Sequence, residues 1–95
     1  MEGHIVTIKI RSKTNSALGH TASFYTHETD PQMVKYLYHK RTHENYGDVV
    51  GADGSHTLHI NGEYPQVQRL ASVEAVDAEE LESHKNDGLL PLDFI

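Results

Sequence analysis

The sequence predicts a single α+β domain, an antiparallel sheet of about four strands in ββαββα order with one main helix packed on one face. Three observations predict it. The run Ile5–Arg11 (IVTIKIR) alternates apolar and polar residues with the two-residue period of a half-buried strand. Asn61-Gly62, set between His59-Ile60 and Glu63-Tyr64, has the form of a two-residue hairpin turn, in which both central positions take positive φ. Between them, Asp30-Pro31 opens a helical stretch that Gly47 closes. A chain of 95 residues has the size of one domain.

Each element follows from local chemistry. In the first strand Val6, Ile8 and Ile10 share one face, and Thr7, Lys9 and Arg11 share the other. The turn-rich SKTNSALGH leads to TASFYTHE (residues 21–28), a second strand around Phe24, so the two form an antiparallel hairpin with a long loop. Thr29 or Asp30 caps the helix, Pro31 suits its first position, and Met33, Val34 and Leu37 mark its apolar face. Residues 48–55 (DVVGADGS) read as a loop or short strand with a turn at Asp53-Gly54. Leu58 and Ile60 then face the core from the first arm of the Asn-Gly hairpin.

Residues 66–76 are ambiguous, because Leu70, Val73 and Val76 are spaced for a helix. The hairpin turn demands a partner strand, so the segment is read as extended, with room for a bulge. Asp77-Ala-Glu-Glu80 has capping-box form and starts a short helix to about His84, ended by Asp87-Gly88. The closing LLPLDFI carries Leu89, Leu90, Leu92, Phe94 and Ile95. Each would forfeit roughly 1.5–3 kcal/mol if left in water. The segment is therefore expected to dock, on the domain's own sheet or on a second subunit or target. Pro91 confines it to an edge or irregular position.

Composition narrows the function classes. With no cysteine, the chain has no disulfide, thiol nucleophile or cysteine-bound zinc. It shows no leader pattern and no apolar run near the ~18 residues of a membrane span, so a soluble cytoplasmic protein with no membrane partner is expected. The net charge of −6 is unevenly placed: residues 1–47 carry six Lys/Arg against four Asp/Glu, and residues 48–95 carry two against ten. Such a surface repels nucleic acid and anionic membranes and favours a protein partner with a basic surface, often itself a nucleic-acid-binding protein. A chain this short buries only about 60–70% of its unfolded surface, so a homodimer would also help it.

Eight histidines raise the question of a metal. In YLYHKRTHENYGD, His39 and His43 stand four apart on a helix, a spacing that zinc and nickel sites use. Further ligands would have to come from His20, His27, His56, His59, Glu28 or Glu44. With Leu37 at the centre of the core face, His39 falls about 200° and His43 about 240° round the helix. Both are thus read as surface or partner-contact residues, and no metal or cofactor is expected. Their place in the last turns also suits the negative end of the helix dipole. His56 and His59 lie three apart on a strand and point to opposite faces.

No motif of nucleophilic catalysis, phosphate cradling or calcium binding is present, and the balance is against an enzyme. The alternative is a small histidine-dependent metal-binding protein or a phosphodiesterase-type hydrolase. Two-histidine phosphoesterases carry His-x-Thr/Ser twice on strands, a spacing from which His56-Thr57 and His4…Thr7 both depart. HIVTIKI (residues 4–10) resembles the first strand of the dimeric α/β-barrel stress proteins. The likeness ends after seven residues, because a second strand follows here where those proteins have a helix, and it implies no function.

Five carboxylates crowd into nine residues: Glu74, Asp77, Glu79, Glu80 and Glu82. Together with His39, His43 and Phe94 they are the expected partner-binding residues of a non-catalytic module. In size and charge the chain is similar to small phage-encoded inhibitors of host defence, such as anti-CRISPR proteins. That similarity implies a viral inhibitor whose carboxylates imitate nucleic-acid phosphates in a basic groove.

Overall fold

The alternating run Gly3–Ser12 forms the central strand, β1. In the computed structural model, residues 2–12, 19–46, 49–50, 56–59 and 65–94 are described. The other elements are β2 (Gly19–Thr26), α1 (Pro31–Tyr46), β3 (Val49–Val50), β4 (His56–His59), β5 (Pro65–Val76), α2 (Ala78–Asn86), β6 (Leu90–Pro91) and a single 3₁₀ turn (Leu92–Phe94). Among the described residues six strands make one sheet, in the order β3-β4-β5-β1-β2-β6.

The expectation of about four antiparallel strands in ββαββα order is met only roughly. β1 pairs antiparallel with both β2 and β5, and β4 pairs antiparallel with β5 as the hairpin reading required. The Asn61-Gly62 turn itself, Ile60, and the side chain of Leu58 lie outside the described residues. β3 adds a two-residue strand, and β6 pairs parallel with β2, so the sheet is mixed. The expected bulge is present: the β1–β5 register shifts between Thr7 and Ile8, leaving Ala71 as the extra residue. The bulge lets Leu70 and Val73 face the same side, which is why their spacing imitates a helix.

Both faces of β1 carry core. On one face Val6 and Ile8 are buried against Val34 and Tyr38 of α1 and Leu92, with Ile10, Ala22, Phe24, Leu37, Leu70 and Val73 packed around them. On the other, Ile5 and Val76 are buried against Leu81 of α2, with Tyr25 and Leu89 alongside. The sequence anticipated one helix on one face; α2 covers one end of the opposite face. The terminal segment docks on the domain's own sheet. Leu90 and Pro91 pair with Phe24 and Tyr25 at the sheet edge, Leu92 enters the α1-side core, and the Arg41 Nη2 group donates to the Asp93 carbonyl oxygen.

Caps fix both helices. Asp30 caps α1: its carboxylate accepts from the Gln32 amide at 2.9 Å, and its carbonyl accepts from Val34 N at 3.0 Å. Behind it, the buried His4 ring donates from Nδ1 to the Glu28 carbonyl at 2.8 Å and ties the loop before α1 to β1. Asp77 caps α2 by accepting from Glu80 N at 2.8 Å. At the other end Gly88 takes φ 93°, with Gly88 N bonded to the Lys85 carbonyl and Leu89 N to the His84 carbonyl, both at 3.1 Å. That is the Schellman pattern, and it turns Leu89 onto the core.

Gly3→Ala is expected to cost about 1–3 kcal/mol in urea unfolding, because its Cβ would lie 2.2 Å from the Thr26 carbonyl oxygen, a backbone atom that cannot swing aside. Gly88→Ala meets nothing within 4 Å and should cost about 1 kcal/mol through its positive φ alone. Asn at position 88 should recover part of that second loss.

Candidate functional site

The buried stripe of α1 is not the one that hydrophobicity suggests. Val34, Tyr38 and Thr42, spaced by four, are all fully buried, whereas Met33 is exposed and Leu37 only half-buried. The centre is Tyr38, and two of its three members carry hydroxyls. Gln68 of β5, also buried, satisfies both from below: its Nε2 donates to Tyr38 Oη at 3.2 Å and to Thr42 Oγ1 at 3.3 Å. Buried polar groups need such partners, since leaving one unpaired costs roughly 1–3 kcal/mol.

Moving the centre of the stripe from Leu37 to Tyr38 overturns the surface assignment of His39, which now lies about 100° from the centre. His39 is half-buried, and its Nδ1 lies 2.7 Å from Nε2 of the fully buried His56. At that separation one ring donates and the other accepts. The ring centroids are 4.9 Å apart, and Tyr38 stands edge-on to both rings. β4 brings His56 there because it pairs with Gln68, which pairs in turn with the core-facing Ile10. Strand alternation therefore points His56 under α1.

His43, read with His39 as a surface or partner-contact residue, is exposed on the helix. Beside His39 a cleft of about 490 Å³ opens, lined also by Lys35, Arg69 and residues 70–73 of β5. The joined imidazoles thus stand next to a cationic cleft. Among the described residues no three His, Cys, Asp or Glu side chains gather to hold a metal ion.

The acidic residues gather elsewhere. Glu79, Glu80 and Glu82 are exposed on α2, whose single buried side chain is Leu81. Asp77, Glu79, Glu80 and Ser83 line a shallow hollow of about 310 Å³. Asp77 is engaged as the cap, and Glu82 meets Lys85 at 3.2 Å. Glu74, exposed on β5, is the register partner of Ile5 and so shares the sheet face that carries α2. Phe94 belongs to the 3₁₀ turn, and its side chain lies outside the described residues.

The sequence did not single out Tyr38, Thr42 or Gln68. A signal for His56 was present: it has the same strand parity as Leu58, which was assigned to the core. Also missed was a cation cluster, in which Lys9 and Arg69 stand directly opposite each other on β1 and β5, with Arg11 two residues along. A cleft of about 580 Å³ is lined by all three together with Thr21.

No protein-family model, curated protein or solved structure matches the chain.

His39→Ala is expected to lower stability by about 1–3 kcal/mol, because it removes the ring bonded to His56 Nε2. Lys40→Ala, on the exposed side of the same helix, should change it by less than about 0.5 kcal/mol. Equal small effects in chemical denaturation would place His39 on the solvated surface after all.

Proposed function

We propose that the protein is a small non-catalytic binding module, an inhibitor of the nucleic-acid-mimic type, whose α2 face engages a basic surface of a nucleic-acid-binding protein. The observation that carries this reading is the display of carboxylates on one fixed helix. Glu79, Glu80 and Glu82 project from a helix fixed by the Asp77 cap, the Gly88 terminus and the Leu81 anchor. Lys85 adds a further tie, its ammonium lying 5.4 Å from the centre of the Tyr25 ring. A helix held in this way has little backbone entropy to lose on binding, which favours association. The first-turn position of Glu79 and Glu80 suits the helix dipole, so concentrating charge there strains the fold little.

A histidine-dependent hydrolase or metal protein is the second reading, favoured by the His39–His56 bond beside the cleft of Lys35 and Arg69. Metal analysis of the purified protein separates the two. Stoichiometric zinc or nickel, lost in both His39→Ala and His56→Ala, would select the second reading.

Charge reversal at Glu79, Glu80 and Glu82 to lysine should weaken capture of a basic partner at least about tenfold and flatten the salt dependence of binding. Affinity capture from a cell extract, with the partner identified by mass spectrometry and titrated against salt, measures this. Unchanged affinity and salt dependence in the triple variant would remove α2 as the contact.

A further inference from the structure

Among the described residues, α2 covers only one end of the sheet face opposite α1. α2 packs over Ile5 and Val76 at one end of β1 and β5. Beyond it, Thr7, Lys9 and Arg11 of β1, Thr21 and Ser23 of β2, and Arg69 and Ser72 of β5 share that face by register. At about 3.3 Å per residue the open stretch from Thr7 to Ser12 is about 17 Å long, enough for one helix of about 10 Å diameter.

The open half is electrostatically incomplete. Lys9 and Arg69 are opposite each other in register, and like charges so placed are destabilising. Arg11 adds a third exposed cation, and all three line the 580 Å³ cleft. Around them stand the hydroxyls of Thr7, Thr21, Ser23 and Ser72, with Thr7 Oγ1 and Ser23 Oγ 3.1 Å apart, and the half-buried Val67, the register partner of Arg11. Among the described residues, the ion pairs involve Lys40, Arg41 and Lys85, not these three cations. One face of an acidic chain thus carries, at one end, cations with no ion-pair partner among the described residues and, at the other, exposed carboxylates.

We propose that the open half receives α2 of a second copy of this chain, in a two-fold dimer. A two-fold axis parallel to the sheet lays each α2 across the partner's open half. Glu79 and Glu80 of one copy then meet Lys9, Arg11 and Arg69 of the other, and the contact repeats reciprocally, as an isologous interface requires. The two α2 helices form a shared middle layer between two sheets, with each α1 on the outside. Leu81 stays on its own sheet while the acidic side of the helix turns to the partner. This inference rests on the reading of α2 as an electrostatic contact surface, and because the dimer covers α2, self-association and the basic partner compete for it.

Sedimentation equilibrium of the full chain tests it. The expected result is a monomer–dimer equilibrium in low salt, with dissociation at least about tenfold easier near 0.5 M NaCl. Lys9→Glu with Arg69→Glu should be monomeric, as should Glu79→Lys with Glu80→Lys, each with an unfolding curve close to that of the parent chain. An equimolar mixture of the two variants should restore a dimer, since each then carries two faces of one sign complementary to the other's.

A monomer at every concentration in low salt, or a dimer indifferent to both reversals, overturns the proposal. So does a short single-stranded oligonucleotide that binds the Lys9–Arg69 face of a chain that does not self-associate. Failure of the proposed function is read separately. The Lys9→Glu/Arg69→Glu variant keeps α2 intact and should still capture the basic partner, whereas loss of dimer with no such capture by any variant leaves self-association standing alone.

Discussion

β1 is hydrogen-bonded on both edges and buried on both faces near its start, and the rest of the molecule is arranged around that constraint. Ile5 points to one side, Val6 and Ile8 to the other, so neither face could be left to water without losing several kcal/mol of burial. α1 answers on one side, and the shorter α2 answers on the other over the first part of the strand only. Polar residues take over where α2 stops, as Thr7, Lys9 and Arg11 follow Ile5 along that face. The incomplete second layer is thus set by where the hydrophobic alternation of β1 becomes one-sided.

Beneath α1 the core is closed partly by hydrogen bonds. Tyr38, Thr42, Gln68, His39 and His56 occupy a region that aliphatic side chains would otherwise fill. Such a network contributes little net stability over an apolar core, but it penalises any register in which its members lose their partners. A slip of β5 by one residue would turn Gln68 away from α1 and leave the Tyr38 and Thr42 hydroxyls without that donor. The network therefore helps to select the register of a long strand whose bulge already makes pairing irregular. The same placement joins His39 to His56 beside an open cleft, which gives the arrangement its chemical interest.

Much of the fold was legible because it depends on local rules. β1, the Asp30-Pro31 helix start, the Asp77 cap and the stop at Gly88 each follow from residues a few positions apart. The underside of α1 was not legible from hydrophobicity, since Tyr38 and Thr42 are buried through partners supplied by Gln68, far away in sequence. His39 was misplaced for the same reason: its environment depends on which side chain centres the stripe. The parallel strand β6 was hidden because Leu90-Pro91 is too short to show periodicity. The carboxylates of α2 were evident as a run, but the cations of the open face were not, because Lys9 and Arg69 become neighbours only through strand pairing.

The pairing of Gly3 with Val76 has a consequence for how the chain reaches this structure. The β1–β2 hairpin and α1 are local and can form early, yet the second edge of β1 has to wait for β5, which lies beyond α1, β3 and β4. Closing so large a loop before its contacts reward it slows folding, and domains dominated by such distant pairings fold in milliseconds to seconds. Throughout that interval β1, with Ile5, Val6, Ile8 and Ile10, presents an open hydrogen-bonding edge. The nascent chain is then at its most vulnerable to pairing with the wrong strand, and the arrival of β5 closes that exposure.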